Sequence, residues 1–156
     1  MSNSELIAKK YSEATKGIKD EWFTKANSKW FDYVSSLPMD LQATYMVVIL
    51  ENQVINGGFH QYFVNGYGQF ADKTIGHLIT IGALEKAKLL KQAFKIVNVA
   101  NDNIDVFRAN LLSKKIDALF VEDDLFDPLD ELDKVYYDAE DIEKALGNYL
   151  ANNGRN

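Results

Sequence analysis

The chain has 156 residues, of which 47% are hydrophobic and 26% are charged, and its formal net charge is −6. A chain of this length and apolar content can bury one core, which excludes a disordered protein and predicts a single domain over residues 1–156. Cysteine is absent, which excludes disulfides, a thiol nucleophile and thiolate metal sites.

The sequence contains no pattern that directs a protein to a membrane. Its first residues lack the apolar run of a signal peptide. No stretch offers the roughly 20 consecutive apolar residues that a membrane span requires. We therefore expect a cytoplasmic protein with no membrane partner.

Helical spacing of apolar residues runs through the first third of the chain. It predicts one helix over residues 3–18 and another around residues 27–34. The second ends before Pro38, because the residue before a proline avoids helical geometry. Asp40 is predicted to cap a third helix that continues to Ile55 and, being apolar all round in its middle, is buried at the centre of the fold.

The rest of the chain also has the pattern of helices, and no stretch predicts a convincing pair of strands. Three predicted segments run from Asp72 to Gly82, from Ala83 to Val99, and from Asp102 or Asn103 to Leu119. A short helix is predicted to start at Asp127, with Pro128 at its first helical position, and a last helix starts at Asp138–Asp141. The lysines of the second of these segments are predicted to lie largely opposite its apolar stripe: Lys86, Lys88, Lys91 and Lys95. The sequence therefore predicts an all-α bundle of six to nine helices.

Residues 52–71 contain no Asp, Glu, Lys or Arg. Six side-chain amides and five aromatic rings alternate in this block: Asn52, Gln53, Asn56, Gln61, Asn65 and Gln69, with Phe59, Tyr62, Phe63, Tyr67 and Phe70. A buried polar group without a partner costs about 1–3 kcal/mol. The block is therefore either a hydrogen-bonded core, with amides bonded to the backbone, or a binding surface.

Two adjacent glycines divide this block into two helices. Asn56, Gly57 and Gly58 predict the end of the central helix, because glycine adopts the left-handed conformation that follows many helices. If Gly57 has a positive φ, a side chain there would destabilise the fold. A short helix from Phe59 to Asn65 follows, so we predict a helix–kink–helix corner.

The pattern around the corner resembles the signature of a bacterial domain family that includes a DNA mimic protein and is largely of unknown function. The residues that carry the resemblance are Glu51, Val54, Asn56, Gly57, Gly58, Phe59, Gln61, Tyr62, Phe63 and Asn65, followed by Ile81–Ala83, Ala87, Leu132, Asp133, Tyr136, Tyr137 and Ile142. The similarity covers residues 25–150 and implies an all-helical fold. Because the best-known member binds a transcription factor, it also implies a protein partner, and it is compatible with a homodimer.

The charge of the chain is strongly polarised. Residues 122–143 contain eleven acids and one base, giving −10, whereas the remaining chain carries +4. Such a segment repels nucleic acid and attracts basic proteins, and acids one helical turn apart lie about 5–6 Å from each other, as a phosphate-reading surface would accept. The predicted partner-binding residues are Glu122, Asp123, Asp124, Asp127, Asp130, Glu131, Asp133, Asp138, Glu140 and Asp141.

Patterns typical of catalysis or metal binding are missing from the sequence. His60 and His77, the two histidines, are not spaced as a pair of ligands on one helix. No nucleophile elbow and no phosphate-binding loop occur. We therefore expect no catalytic residue, no metal and no cofactor.

The main hypothesis is a non-catalytic acidic protein, a DNA mimic that binds a basic protein such as a DNA-binding transcription regulator. Two alternatives remain open. One is a small-ligand or enzymatic site at the 51–70 corner, with Glu51, His60, Gln61 and Tyr62 as its polar groups. The other is an immunity-type inhibitor that presents the same acidic surface to a toxin.

Overall fold

The computed structural model describes residues 1–24 and 26–153, and within these ranges the fold is all-α, without strands. Nine α-helices lie in the described ranges: α1 (Asn3–Thr15), α2 (Lys29–Ser35), α3 (Met39–Val64), α4 (Ala71–Thr80), α5 (Leu84–Val97), α6 (Ile104–Leu112), α7 (Asp117–Phe120), α8 (Phe126–Tyr136) and α9 (Ile142–Asn153). Two short 3-10 helices span Asp20–Phe23 and Tyr67–Phe70. The predicted all-α class is confirmed. Among the described helices, none combines the length and the apolar character of a membrane span.

Helix α3 is the central element of the fold. Helices α1, α4, α8 and α9 and the second 3-10 helix all pack against it. One face of α3, with Val47, Leu50 and Val54, belongs to the main apolar core. Another face, with Tyr45 and Met46, packs into a second cluster around Trp30 and Phe70. The prediction of a buried central helix is confirmed, since apolar residues on several faces require neighbours on several sides.

Helix α3 bends at Gly58, as the corner prediction requires, but the details differ. Gly58 has φ +77° and ψ −179°, a conformation that is essentially restricted to glycine. Gly57 does not have the positive φ on which its predicted sensitivity to substitution depended; it keeps helical geometry, and the break comes one residue later. The first helical run thus ends at the glycine pair, as predicted, and a second helical run continues from Phe59 to Val64.

A carboxylate from α8 closes the kink. Asp133 is 7% exposed, and its Oδ1 accepts a hydrogen bond of 2.8 Å from the backbone N–H of Phe59. A break in a helix leaves N–H groups without a carbonyl one turn earlier, and a side-chain carboxylate replaces the missing acceptor. The second oxygen, Oδ2, lies against Gly58, where a Cβ atom would overlap it. The glycine thus provides both the bend and the space for the carboxylate.

Side-chain amides connect the two halves of α3 across the kink. The Oε1 atom of Gln53 accepts hydrogen bonds from Gln61 Nε2 at 3.1 Å and from Asn65 Nδ2 at 3.0 Å. The sequence predicted amide-to-backbone bonds at this corner, whereas these bonds join side chains. Asn56, which was grouped with them, is exposed.

Several predicted helix ends are shifted in the structure. Asp40 does not cap α3 but lies in its first turn, where its Oδ2 is 2.9 Å from Lys10 Nζ. The helix predicted to reach Leu119 stops at Leu112, because Lys114 has φ +56°. These ends depend on tertiary contacts and single backbone angles that apolar periodicity does not report.

The helix starts in the acidic segment also differ from the prediction. Helix α8 begins at Phe126, so that Asp127 lies in its first turn and Pro128 is its third residue. Proline is tolerated there because the N–H groups of the first turn have no helical partner. Helix α9 begins at Ile142, later than predicted, and Asp141 Oδ1 accepts the Lys144 N–H at 3.2 Å.

Replacing Gly58 by alanine should destabilise the protein by roughly 1–3 kcal/mol from backbone strain alone, with a further loss because the methyl group displaces Asp133 Oδ2. Urea denaturation followed by circular dichroism measures the change. The control is Gly76→Ala in α4, where a Cβ would meet nothing within 4 Å. This substitution should stabilise the helix by up to about 1 kcal/mol. Equal unfolding midpoints for the two variants would contradict the role of Gly58.

Candidate functional site

Most acids of residues 122–143 lie on the protein surface. Seven of the ten predicted partner-binding residues are exposed: Glu122, Asp123, Asp124, Asp127, Glu131, Asp138 and Asp141. Asp130 and Glu140 are partly buried, and Asp133 is buried. We call the seven exposed residues the acidic surface. It extends from the loop after α7, along α8, to the start of α9.

Neighbouring acids in the loop between α7 and α8 are close enough to affect one another. A hydrogen bond with Asp124 and the negative charges of Asp124 and Asp117 raise the pKa of the Glu122 carboxyl. The hydrogen bond favours the protonated form, and repulsion between like charges further disfavours the ionised form. A cation that binds at this place relieves the repulsion, so the loop attracts positively charged groups.

The protein's own bases neutralise little of this charge. Lys134, the single base of residues 122–143, has its Nζ 3.1 Å from Glu131 and 3.7 Å from Asp130. Among the described residues of this segment, ion pairs within 4 Å are confined to these two. Exposed pairs of this kind contribute only about 0–1 kcal/mol. A partner can therefore exchange Lys134 for a cation of its own at small cost.

Two acids of the segment bind inside the fold. Besides Asp133 at the kink, Glu140 accepts hydrogen bonds from the backbone N–H groups of Glu85 at 2.7 Å and Lys86 at 2.9 Å. It therefore caps the N-terminus of α5, where a negative charge is favourable. Partial burial acts to raise the pKa of Glu140, but these backbone hydrogen bonds outweigh it and hold the pKa below its usual value. Neither carboxylate belongs to the acidic surface, although the sequence grouped both with it.

A buried polar cluster joins α3, α5 and α8. Lys86 is 3% exposed, and its Nζ lies 3.2 Å from Glu51 Oε2 and 4.2 Å above the ring centroid of Tyr136. The Tyr136 hydroxyl donates a hydrogen bond to the same Glu51 carboxylate. The prediction that Lys86 faces away from the apolar stripe was therefore wrong. The cluster satisfies a buried cation through an ion pair and an aromatic face.

This cluster forms one wall of a surface groove of about 530 Å³. Other apolar parts of the wall come from Ile7 of α1, Val48 of α3 and Leu146 of α9. Asn52, Tyr137 and Asp141 also line the groove. The groove therefore connects the uncharged surface of α3 with the end of the acidic surface.

The four residues of the alternative corner site do not act together. Glu51 binds Lys86, and Gln61 binds Gln53. The ring of His60 lies 5.3 Å from that of Phe126, between centroids, and Tyr62 is fully buried. The side chains thus make separate structural contacts and do not form a shared site.

The family model described as DMP19-like protein matches residues 35–153, which include the kink at Gly58, the Lys86 cluster and the whole acidic surface. The chain belongs to the DMP19-like protein family. The resemblance seen in the sequence is confirmed. No curated protein and no solved structure matches the chain.

Sequence reasoning missed the inward roles of Lys86 and Asp133 in this DMP19-like protein, although spacing contained a signal for each. Lys86 precedes the buried Leu90 by four residues and so shares its helix face. Asp133 lies four residues after the buried Leu129 and three before the buried Tyr136. A charged residue in register with buried neighbours indicates an interior partner, since lone buried charges are strongly disfavoured.

The Lys86→Met variant should lower the free energy of unfolding by about 1–3 kcal/mol, because Glu51 loses its counter-charge in a partly buried place. Chemical denaturation measures the loss. The matched control, Lys91→Met, removes an exposed lysine of the same helix and should change stability by less than about 0.5 kcal/mol. The double variant Glu51→Gln/Lys86→Met should recover part of the loss, and identical losses for Lys86→Met and Lys91→Met would refute the pairing.

The stability of the protein should depend on pH through Asp133. Burial raises the pKa of this carboxyl, although the hydrogen bond from the Phe59 N–H opposes the effect. The folded state therefore binds the proton more tightly than the unfolded state, whose pKa is about 3.9. This contribution to stability is present below the unfolded pKa and decreases as the pH rises through the folded value.

The Asp133→Asn variant keeps an oxygen that can accept from Phe59 N–H but does not titrate. Its stability relative to the wild type should therefore increase as the pH rises from about 3.9, as measured by urea denaturation at a series of pH values. Asp127→Asn, which removes an exposed acid of the same helix, controls for the change in net charge. Parallel curves of stability against pH for wild type and Asp133→Asn would exclude the effect.

Proposed function

We propose that this protein is a DNA mimic that binds the basic surface of a DNA-binding protein, such as a transcription regulator, and performs no catalysis. The observation that carries the proposal is the acidic surface, in which seven carboxylates are exposed and, among the described residues, Lys134 alone forms ion pairs with the segment. Membership of the DMP19-like family supports it. Direct binding to nucleic acid is disfavoured by the same charge.

The acidic surface can replace phosphates at a basic protein surface. Asp127 and Glu131 are one turn apart on α8, which places their Cβ atoms about 5–6 Å from each other and their carboxylates on one side of the helix. A surface that reads the DNA backbone presents arginine and lysine to a row of negative charges. Carboxylates held at similar intervals bind the same cations and compete for them.

The distribution of charge over the molecule should orient the encounter. Residues 122–143 carry −10 and the remaining chain carries +4, so that a basic partner is attracted to one side and repelled by the other. Such polarisation increases association rates and makes them sensitive to salt. We infer that the protein acts as a single domain in the compartment that holds DNA, which is the cytoplasm in a bacterium.

Removing charge from the acidic surface should abolish competition with DNA. The test variant carries Glu122→Gln, Asp123→Asn, Asp124→Asn and Asp127→Asn, and the control carries Glu5→Gln, Asp20→Asn, Glu21→Gln and Asp32→Asn, four exposed acids outside the segment. Proteins captured from the native cell lysate at low and high salt are purified, and their binding to labelled DNA is followed by fluorescence anisotropy. Wild type and control should displace the DNA, whereas the test variant should need about tenfold or more protein and show a shallower salt dependence. The proposal fails if no complex is sensitive to salt, or if the captured proteins bind DNA equally well with the wild type present.

A further inference from the structure

Helix α8 lies antiparallel along the middle and the kink of α3. The ring of Phe126 is near His60, Asp133 binds the N–H of Phe59, and the Tyr137 hydroxyl donates to the carbonyl of Val54 at 3.3 Å. As residue numbers rise on α8, those of its contacts on α3 fall. The two helices therefore run side by side in opposite directions.

Large apolar side chains are exposed along these two helices. Ile55 is 55% exposed, Phe126 54% and Tyr137 53%, whereas Phe59 and Tyr136, which point inward from the same two helices, are fully buried. Asp130 follows Phe126 by one turn and is partly exposed, so it supplies a carboxylate on the same side of α8. We call Ile55, Phe126, Asp130 and Tyr137 the α3–α8 strip. Phe126 and Tyr137 are separated by about 16 Å along the helix direction, at 1.5 Å a residue.

Two amides on α3 extend this strip. Asn52 and Asn56 are exposed. Asn52 lies one turn from both Ile55 and Asn56 and so connects the second amide to the strip. Within the described part of the chain, neither side-chain amide has a hydrogen-bond partner. This differs from Gln53, Gln61 and Asn65, which bind one another across the kink. Two amides of the uncharged block are therefore free to bind a partner.

The chemistry of the strip indicates what it binds. Aromatic rings accept the flat guanidinium group of arginine and the aliphatic stems of basic side chains, while neighbouring carboxylates bind their charged ends. The protein already contains such a contact, since the Arg108 guanidinium lies 3.8 Å above the ring centroid of Phe31. Asp127, Asp130 and Glu131 supply the carboxylates next to Phe126. A second copy of this chain would instead bring acids against acids, which is repulsive.

We infer that the α3–α8 strip binds an arginine-bearing helix of the protein partner, with its rings holding the guanidinium groups and Asn52 and Asn56 bonding polar groups at the margin. This inference rests on the proposed function. It adds that the partner is recognised by short-range contacts with uncharged side chains as well as by charge. The expected partner presents arginine side chains about three turns apart on an exposed helix, which matches the roughly 16 Å between Phe126 and Tyr137.

The inference is tested with a synthetic alanine-based helical peptide that carries arginines three turns apart, and with its lysine twin. Binding to the full chain is measured by isothermal titration calorimetry over a range of salt concentrations. The strip variant is Ile55→Ala/Phe126→Ala, and its control is Ile79→Ala/Val99→Ala, which removes two equally exposed apolar side chains elsewhere. The wild type should prefer the arginine peptide.

The strip variant should bind the arginine peptide about fivefold more weakly and lose its preference over the lysine peptide. The slope of log affinity against log salt should stay unchanged, because no charge is removed. The acid-neutralised variant of residues 122–127 should show the opposite pattern, with a shallower slope and a retained preference. The control should match the wild type.

Two results would contradict the inference alone, and a third would contradict both the inference and the proposed function. If strip variant and control bind alike while the acid-neutralised variant binds weakly, the acidic surface acts alone and the strip has no role. If sedimentation equilibrium shows a wild-type dimer that Ile55→Ala/Phe126→Ala dissociates, the strip is occupied by a second copy. If neither peptide binds the wild type and DNA competition is also absent, the proposed function fails together with the inference.

Discussion

The hydrogen bond from the Phe59 N–H to the buried Asp133 carboxylate connects the two distinctive parts of this sequence. The N–H belongs to the uncharged corner, and the carboxylate belongs to the acidic segment. The bond forms because Gly58 bends α3 and leaves room for the carboxylate. It fixes α8, and with it Asp127 and Glu131, against the central helix. The neutral corner therefore positions the acidic surface.

Acids that look alike in the sequence have different roles in the fold. Asp133 and Glu140 replace missing helical acceptors, and Glu51 binds a buried lysine. Such places compensate for the cost of removing a carboxylate from water. Among the described residues, the acids of the acidic surface are bonded less completely: Glu131 pairs with the exposed Lys134, and Asp141 accepts the Lys144 N–H. The exposed carboxylates thus contribute little to holding the fold together, and their negative charge is available for binding.

The helical class and the corner could be predicted because both depend on local signals, namely apolar periodicity and a glycine pair. Which glycine has the positive φ could not be predicted, since either Gly57 or Gly58 fits the local pattern and the contact with Asp133 decides between them. The burial of Lys86 likewise depends on Glu51 and Tyr136, which are distant in the sequence. Exposure along the α3–α8 strip was also hidden, because Ile55 and Phe126 have the composition of core residues and only the packing leaves them outside.

Charge alone is a poor basis for choosing one partner. An array of carboxylates attracts many basic proteins, and phosphates in the cell compete for the same surfaces with a similar dependence on salt. Discrimination requires contacts that the competitor lacks. A phosphate backbone offers no exposed phenyl ring like Phe126 and no aliphatic group like Ile55. A mimic that places such side chains beside its carboxylates can therefore bind one DNA-binding protein more tightly than DNA does, while its charge sets the rate of encounter.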